Sequence, residues 1–161
     1  MNALGAAPVN LSQAEAYDAI SKGVVKANLG PDEVLKGWNQ AEVTKYVTKT
    51  PFLYNTIFFF TMNDSKWQSL DEETQKTITE ISQKYYNEVA LALWDKQNEE
   101  ALAWAQEEKG MEVITLDAAE MERWKQALSP VQNDWVNSIG TKGIDGSAVL
   151  KQVQELADRY N

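Results

Sequence analysis

The chain of 161 residues contains no cysteine and no histidine. It therefore has no disulfide, no thiol nucleophile, no zinc site of the ordinary kind and no serine–histidine catalytic triad. It also lacks a glycine-rich phosphate loop and a convincing pair of catalytic carboxylates, so an enzyme ranks last among the possible functions. No apolar run approaches the length of about eighteen residues that spans a membrane. No cofactor and no metal site are expected.

Positive charge is scarce as well, and the formal net charge of the protein is −9. A sequence this acidic repels phosphate backbones and anionic lipids, which argues against nucleic acid or a membrane surface as a partner. Hydrophobic residues make up 43% and charged residues 24%, proportions that are typical of a folded globular protein. The length alone indicates one domain.

The most distinctive stretch is Pro51–Asn63, which contains all four phenylalanines of the sequence. Aromatic and β-branched residues dominate it, and this composition predicts a buried strand over 52–62. Apolar residues occupy both alternating faces, which is typical of a central strand covered by helices on each side. The prediction for the fold class is therefore α/β, with a few-stranded sheet and long flanking helices.

Helical periodicity and capping signals cover most of the remaining sequence. Ser12 with Glu15, and Ser69 with Glu72, have the spacing of capping boxes. Pro130 is expected to kink the helix that contains it, and a bend is possible near 96–98 of the longest helix. Helices are predicted at 12–23, 31–38, 71–109, 118–139 and 147–161. Short strands are predicted at 4–11, 24–29 and 111–116, and a short helix or turn is predicted at 41–48.

Three spans in this order resemble a known family. They are Ala3–Val9 leading to Glu15–Ile20, then Lys22–Pro31 followed by Leu35–Trp38, and finally Glu42–Thr48 leading to Tyr54-Asn55 and the aromatic stretch. The pattern resembles the C-terminal half of the periplasmic solute-binding proteins of tripartite ATP-independent periplasmic (TRAP) transporters, of the DctP type. The resemblance extends along the whole sequence and is specific through Asn63.

This resemblance implies one lobe-forming part of a two-lobe α/β receptor that closes on a small organic acid, often a carboxylate, and delivers it to a membrane permease. It implies a periplasmic location, although Met1–Pro8 has no signal-peptide pattern. Family members are about twice as long, so 1–161 is expected to be a single truncated α/β unit. The missing part carries an arginine whose fork pairs with the ligand carboxylate. Neither Arg123 nor Arg159 matches that arginine.

The resemblance also assigns ligand-facing positions, each with an ordinary alternative. Gln13 stands where many members have an aromatic residue or Met in the pocket, Asp32 where several have a Trp, and Asn55 matches a common Asn. Gly30 and Phe52 replace an Asn and a His of sialic-acid binders, so the pocket departs from that ligand and favours a smaller or less hydroxylated acid. The candidate ligand-binding residues are Gln13, Asn28, Gly30, Asp32, Phe52, Asn55 and Phe58.

The alternatives are structural roles and a different kind of function. Asn55 can cap a neighbouring loop, Asp32 can be a first-turn helix charge, and Gln13 can be an ordinary surface residue. Tryptophans at helical spacing, such as Trp38 and Trp94, are expected in the core. A helical protein–protein interaction module is the alternative function. Truncation is expected to expose apolar surface, which favours a homodimer.

Overall fold

The computed structural model describes residues 1–56 and 58–160, and it is helix-rich with one small sheet. The helices are α1 Gln13–Ser21, α2 Val34–Gly37, α3 Asp64–Gln68, α4 Glu72–Tyr85, α5 Leu91–Lys109, α6 Ala118–Gly140 and α7 Gly146–Tyr160. The strands are β1 Tyr46–Lys49 and β2 Glu112–Thr115. Short 3-10 turns cover Asn2–Leu4 and Gln40–Glu42, and a π-helical turn covers Tyr86–Ala90.

The protein divides into two compact units. The larger unit is Leu11–Thr115, with α1 to α5 and both strands, and it holds every candidate ligand-binding residue. The smaller unit combines Met1–Asn10 with the residues from Leu116 onward, and its main elements are α6 and α7. Sequence alone did not indicate this division.

The capping signals correctly predicted several helix ends, because each depends on hydrogen bonds within a few residues. At the start of α1, Ser12 donates its backbone N–H (3.0 Å) and its hydroxyl (2.6 Å) to the Glu15 carboxylate. Asp117 accepts the backbone N–H of Glu120 at 2.8 Å and begins α6. Gly110 ends α5 with a φ of 64°, which a residue without a Cβ adopts readily.

The predicted capping box at Ser69 is wrong. The residue that caps α4 is Asp71, whose carboxylate accepts the Thr74 backbone N–H at 2.8 Å. The Ser69 hydroxyl instead donates to the Lys66 carbonyl at 2.7 Å, because Ser69 ends the short helix α3 that precedes α4. Sequence spacing fits both positions, and the presence of α3 decides between them.

The long helical region predicted at 71–109 is confirmed as α4, the π turn and α5 in succession. The irregularity lies at Tyr86–Ala90, upstream of the bend considered near 96–98. A π turn inserts an extra residue into the helical ladder, so the apolar stripe rotates there. The apolar residues Ile78, Ile81 and Tyr85 of α4 therefore do not continue in phase with Leu91, Trp94 and Leu102 of α5.

The two strands form a parallel pair in which Tyr46 is opposite Glu112 and Lys49 is opposite Thr115. The strand predicted at 111–116 is thus confirmed as β2. The prediction of a helix or turn at 41–48 is wrong for its second part, since only Gln40–Glu42 is helical and β1 follows. The strands predicted at 4–11 and 24–29 are also wrong, because the described structure has no regular strand there. Parallel pairing joins residues far apart in sequence, which local composition does not reveal.

The prediction of a central strand at 52–62 is wrong for the described residues of that stretch. Residues 51–53 form a turn, the described residues after them adopt neither helix nor strand, and Ile57 lies outside the described residues. Phe58, Phe59 and Phe60 are 60%, 77% and 105% exposed. A strand needs hydrogen-bonding neighbours, and β1 and β2 pair only with each other among the described strands.

The core of the larger unit lies between α2, α5 and the start of β2. Its buried members are Leu35, Ala41, Ala105 and Met111, and Val47, Leu102 and Trp104 pack against them. Small alanines on α5 let α2 approach closely. Trp38, Trp94 and Trp135 are each more than a third exposed, so the expectation that the tryptophans are core residues is wrong for these three.

We predict that Ser12→Ala removes the cap at the start of α1 and destabilises this helix by about 1 kcal/mol. The Ser12 hydrogen bonds lower the pKa of the Glu15 carboxyl, so their stabilisation is present above the ordinary glutamate pKa and is lost as the pH falls through the lowered value. NMR titration should show the Glu15 pKa rising towards its ordinary value in Ser12→Ala. An unchanged Glu15 pKa would contradict the capping box.

Pro130 lies inside α6, which continues on both sides of it. Its ring removes one backbone hydrogen bond and crowds the preceding turn, so a kink at this position remains a prediction. Residual dipolar couplings measured along α6 would report the axis direction before and after Pro130. A single axis that fits both segments would refute the kink.

Candidate functional site

The candidate site is built on the loop that contains Asn28, Gly30 and Asp32, in the larger unit. The Asn28 side-chain amide donates from Nδ2 to Oε1 of Gln40 at 3.0 Å. Gln40 is 2% exposed, so this bond ties a surface loop to a buried group. Gly30 lies beneath the Asn28 amide, and a Cβ at this position would be 3.4 Å from Asn28 Nδ2. The loop is therefore held close to the turn that carries Gln40.

An ion pair forms the second link between this loop and the rest of the unit. The Lys49 ammonium contacts the Asp32 carboxylate. The Asp32 side chain is 23% exposed and that of Lys49 is 40% exposed, so the ion pair is only partly shielded from solvent. Lys49 is the last residue of β1. Ligands of parallel α/β sheets bind outside the carboxyl ends of the strands, and the ion pair lies at such an end.

The end of the loop is anchored to α5. The backbone N–H of Glu33 donates to the Asn98 side-chain oxygen at 2.9 Å. Burial raises the pKa of the Glu33 carboxyl. This carboxyl lies close to Gly37, and a Cβ on Gly37 would be 2.7 Å from Glu33 Oε2. Beside this carboxyl, α2 and α5 border an open cleft of about 240 Å³ lined by Glu33, Lys36, Gly37, Gln97, Glu100 and Ala101.

Among the described residues of the larger unit, two buried amide groups keep a donor without a protein acceptor. They are Nε2 of Gln13, near the start of α1, and Nε2 of Gln40. A buried N–H without a partner costs free energy, so such groups are rare unless an acceptor other than the protein serves them. Both are suited to donate to an oxygen atom of a ligand or of a water molecule.

The structure brings together some of the predicted residues and not others. Asn28, Gly30 and Asp32 share one loop, with Gln40 and Lys49 as partners. Phe52 lies half-buried in the turn at 51–53, and Asn55 is exposed in the irregular stretch after it. The Phe58 ring packs at a 58° tilt on Trp94, with 4.6 Å between ring centroids. No described contact joins Gln13, Asn55 or Phe58 to the Asn28 loop.

Sequence reasoning missed Gln40 and Lys49, the two residues that fix this loop. Nothing in the neighbourhood of Gln40 marks it as buried, since it follows Asn39 in a short polar turn. A signal for Lys49 existed, because a lysine at the end of a parallel strand is a candidate anion contact. That signal was unusable while 41–48 was predicted to be helix or turn.

Residues 1–56 and 58–160 contain no group of three or more acidic side chains arranged to hold a metal ion. Nor does that part of the protein contain a helix with the length and apolar character needed to cross a membrane. The groups that link the loop are amides, the Lys49 ammonium and the Asp32 carboxylate, and the cleft beside it adds the carboxyl groups of Glu33 and Glu100 and the Lys36 ammonium.

The fold and sequence are similar to those of known solute receptors. A C4-dicarboxylate-binding periplasmic protein of Rhodobacter capsulatus is 29% identical over 89% of this chain and 43% of its own length. A TRAP periplasmic solute-binding protein of Desulfovibrio salexigens, solved in an open form with the C-terminus of a symmetry mate in its ligand-binding site, is 31% identical with a TM-score of 0.74. That match covers 99% of this chain and 50% of the other.

A third relative is a marine metagenome TRAP solute-binding protein solved with metahydroxyphenylacetate. It is 26% identical with a TM-score of 0.78, and the match covers 99% of this chain and 51% of the other. The chain thus spans about half the length of the relatives it matches. The profile of the family described as bacterial extracellular solute-binding protein, family 7 (DctP) matches residues 1–138. Since this match covers most of the sequence, the chain belongs to the DctP family of bacterial extracellular solute-binding proteins.

Proposed function

We propose that this protein supplies part of the ligand-binding cleft of a non-catalytic receptor for a small organic acid, and that the acid's carboxylate contacts Lys49. The observation that carries the proposal is the Asp32–Lys49 ion pair at the carboxyl end of β1. An ammonium has three donors, and Asp32 engages one of them. The remaining donors are available to a carboxylate that approaches from solvent.

The amide groups beside Lys49 suit the rest of such a ligand. With Nδ2 of Asn28 held by Gln40, the Asn28 side-chain oxygen and second N–H remain for a ligand hydroxyl or carbonyl. The relatives support the ligand class, since one is named for C4-dicarboxylates and one was solved with an aromatic acid. The polypeptide C-terminus bound in the Desulfovibrio salexigens relative also ends in a carboxylate. The identity of the acid is a matter for experiment.

The proposed mechanism is closure of two lobes around the acid, in which ligand contacts shift an open–closed equilibrium. The receptor then delivers its ligand to the permease of a TRAP transporter, in the periplasm. Seven residues remain proposed as ligand-facing: Gln13, Asn28, Gly30, Asp32, Phe52, Asn55 and Phe58. Lys49 and Gln40 join them as the residues that hold the Asn28 loop.

The test is an NMR titration of the 161-residue protein with millimolar succinate and metahydroxyphenylacetate. We expect saturable shifts of the amide signals of Asn28, Asp32 and Lys49, because weak carboxylate contacts are visible at such concentrations. Lys49→Gln should weaken this binding by about tenfold, the loss of one charge-assisted contact. Lys45→Gln is the matched control, since it removes an exposed lysine just before β1. Equal effects of the two substitutions would exclude a specific role for Lys49.

A further inference from the structure

The amide groups of Gln40 and Asn28 form a pair that joins the interior of the larger unit to its surface. Gln40 is buried, whereas Asn28 is exposed on its loop. Oε1 of Gln40 accepts the hydrogen bond from Asn28 Nδ2. The Thr44 hydroxyl donates to the Gln40 backbone carbonyl at 2.7 Å. Gln40 is therefore held through both its main chain and its side chain, and its amide stays in contact with that of Asn28.

One donor of this amide pair is left unpaired. Nε2 of Gln40 is buried and has no hydrogen-bond partner among the described residues. Among the same residues, the Asn28 side-chain oxygen accepts no hydrogen bond. Because the Gln40 nitrogen is already shielded from solvent within the larger unit, an acceptor for it has to come from inside that unit. The nearest suitable group belongs to its own partner, the Asn28 amide.

Reversal of both amides supplies that acceptor. Half a turn about the terminal bond of each side chain exchanges its nitrogen with its oxygen and leaves its shape almost unchanged. Gln40 Nε2 then donates to the Asn28 oxygen, and the buried atom without a partner becomes the Gln40 oxygen. Proteins tolerate a buried C=O that is short of partners better than a buried N–H. Reversal of one amide alone would bring two nitrogens or two oxygens together, so both amides turn as a pair.

The two arrangements offer different atoms of Asn28 to a ligand. In the arrangement described above, the Asn28 oxygen is free and accepts a hydrogen bond from a ligand hydroxyl. In the reversed arrangement the NH2 group takes the place of that oxygen and donates to a ligand carbonyl. Both arrangements keep one hydrogen bond between Gln40 and Asn28, so they are close in free energy. A ligand then shifts the balance towards the arrangement that pairs with it.

We propose that Gln40 is a specificity-determining residue, which allows the Asn28 amide to reverse and so allows the site to bind both 2-hydroxy acids and 2-oxo acids. The inference rests on the proposed function, because it requires the acid's carboxylate at Lys49 and its second substituent at Asn28. A residue that only accepts hydrogen bonds would keep the Asn28 oxygen facing the ligand, where it repels the carbonyl oxygen of an oxo acid. Gln40 avoids this restriction because an amide both donates and accepts.

The test compares acids that differ only in a hydroxyl or an oxo group next to the carboxylate. The pairs are mandelate with phenylglyoxylate and 2-hydroxyglutarate with 2-oxoglutarate, titrated into the 161-residue protein by NMR at millimolar concentrations. We expect the two members of the better-binding pair to have dissociation constants within about threefold of each other. Scalar coupling across the hydrogen bond, from the donor nitrogen to the acceptor carbonyl carbon, identifies the donor. It should run from Asn28 to Gln40 with the hydroxy acid and from Gln40 to Asn28 with the oxo acid.

Variants at Gln40 separate specificity from packing. In Gln40→Glu, studied at about pH 8 to favour the ionised carboxyl, position 40 only accepts, so the oxo acid should bind about tenfold more weakly relative to the hydroxy acid. Gln40→Met neither donates nor accepts, leaves Asn28 free to turn, and should keep the ratio of the parent. Gln83→Met changes an exposed glutamine on α4 and is the matched control.

The outcomes distinguish this inference from the proposed function. Coupling in the same direction with both acids in the parent would overturn the inference even where Gln40→Glu does not fold. An equal loss of both acids in a folded Gln40→Glu protein would overturn it as well. If the signals of Lys49 shift on titration while the amide pair does not reverse, the proposed function stands and only the inference is wrong. If neither Lys49 nor Asn28 responds to any of the four acids, both are wrong.

Discussion

Replacing Gly146 by alanine is expected to destabilise the pairing of α6 with α7 by about 1–3 kcal/mol, as overpacking of a close contact does. A Cβ on Gly146 would lie 2.9 Å from the Val136 carbonyl oxygen and 3.0 Å from its Cα. Both are backbone atoms of a helix and cannot rotate aside as side-chain atoms do. Gly146 is buried at the start of α7, so the new methyl group has no other space to occupy.

Gly140→Ala is the matched control in the same unit. Gly140 is the last residue of α6, its φ is not positive, and nothing lies within 4 Å of an added Cβ. Alanine at this position lowers the conformational entropy of the unfolded protein without straining the folded one. It should therefore raise the free energy of unfolding by about 0.5–1 kcal/mol. Hydrogen exchange of the α7 amides measures both effects locally. Equal protection in the two variants would show that the α6–α7 contact is looser than described.

The isolated protein is expected to bind C4-dicarboxylates, 2-oxo acids and sialic acid more weakly than a full-length receptor by several powers of ten. The resemblance assigns the ligand carboxylate to an arginine fork that neither Arg123 nor Arg159 provides. Hydrogen bonds to charged groups contribute about 1.5–3 kcal/mol each, so loss of a two-bond fork alone costs a hundredfold or more. Lys49 offers a point charge that is already shared with Asp32.

Calorimetric titration with a panel of these acids measures this deficit, and light scattering on the same samples gives the mass. The C4-dicarboxylate-binding protein of Rhodobacter capsulatus, titrated in parallel, is the full-length control. Weak binding by the 161-residue protein and tight binding by the control is the expected pair of results. Sub-micromolar binding by a monomer of this protein would instead mean that its site is complete without the arginine.

The aromatic stretch shows where composition and structure disagree. Its residues favour an interior strand by propensity and by their apolar faces, but a strand exists only where partners accept its hydrogen bonds. The described structure leaves Phe58, Phe59 and Phe60 in solvent. The candidate site also depends on partners distant in sequence. Gln40 contacts Asn28, twelve residues away, and Lys49 contacts Asp32, seventeen residues away.

The local features of this protein follow from short stretches of its amino-acid sequence. Ser12 with Glu15, Asp117 and Gly110 identify helix ends because their hydrogen bonds and backbone angles involve residues within one or two turns. Absence of cysteine and histidine excluded whole classes of chemistry, and short motifs were sufficient to indicate the family. These conclusions do not depend on tertiary contacts between residues that are distant in sequence.

Other features become evident only in the folded protein. It paired β1 with β2, placed a cap at Asp71 instead of Ser69, and joined the Asn28 loop to the turn and the strand that follow it. The strand pairing and the links of the Asn28 loop depend on contacts between residues distant in sequence. The cost in conformational entropy of making such contacts is met only when many of them form together. The amino-acid composition of a short stretch does not indicate which of these distant contacts form.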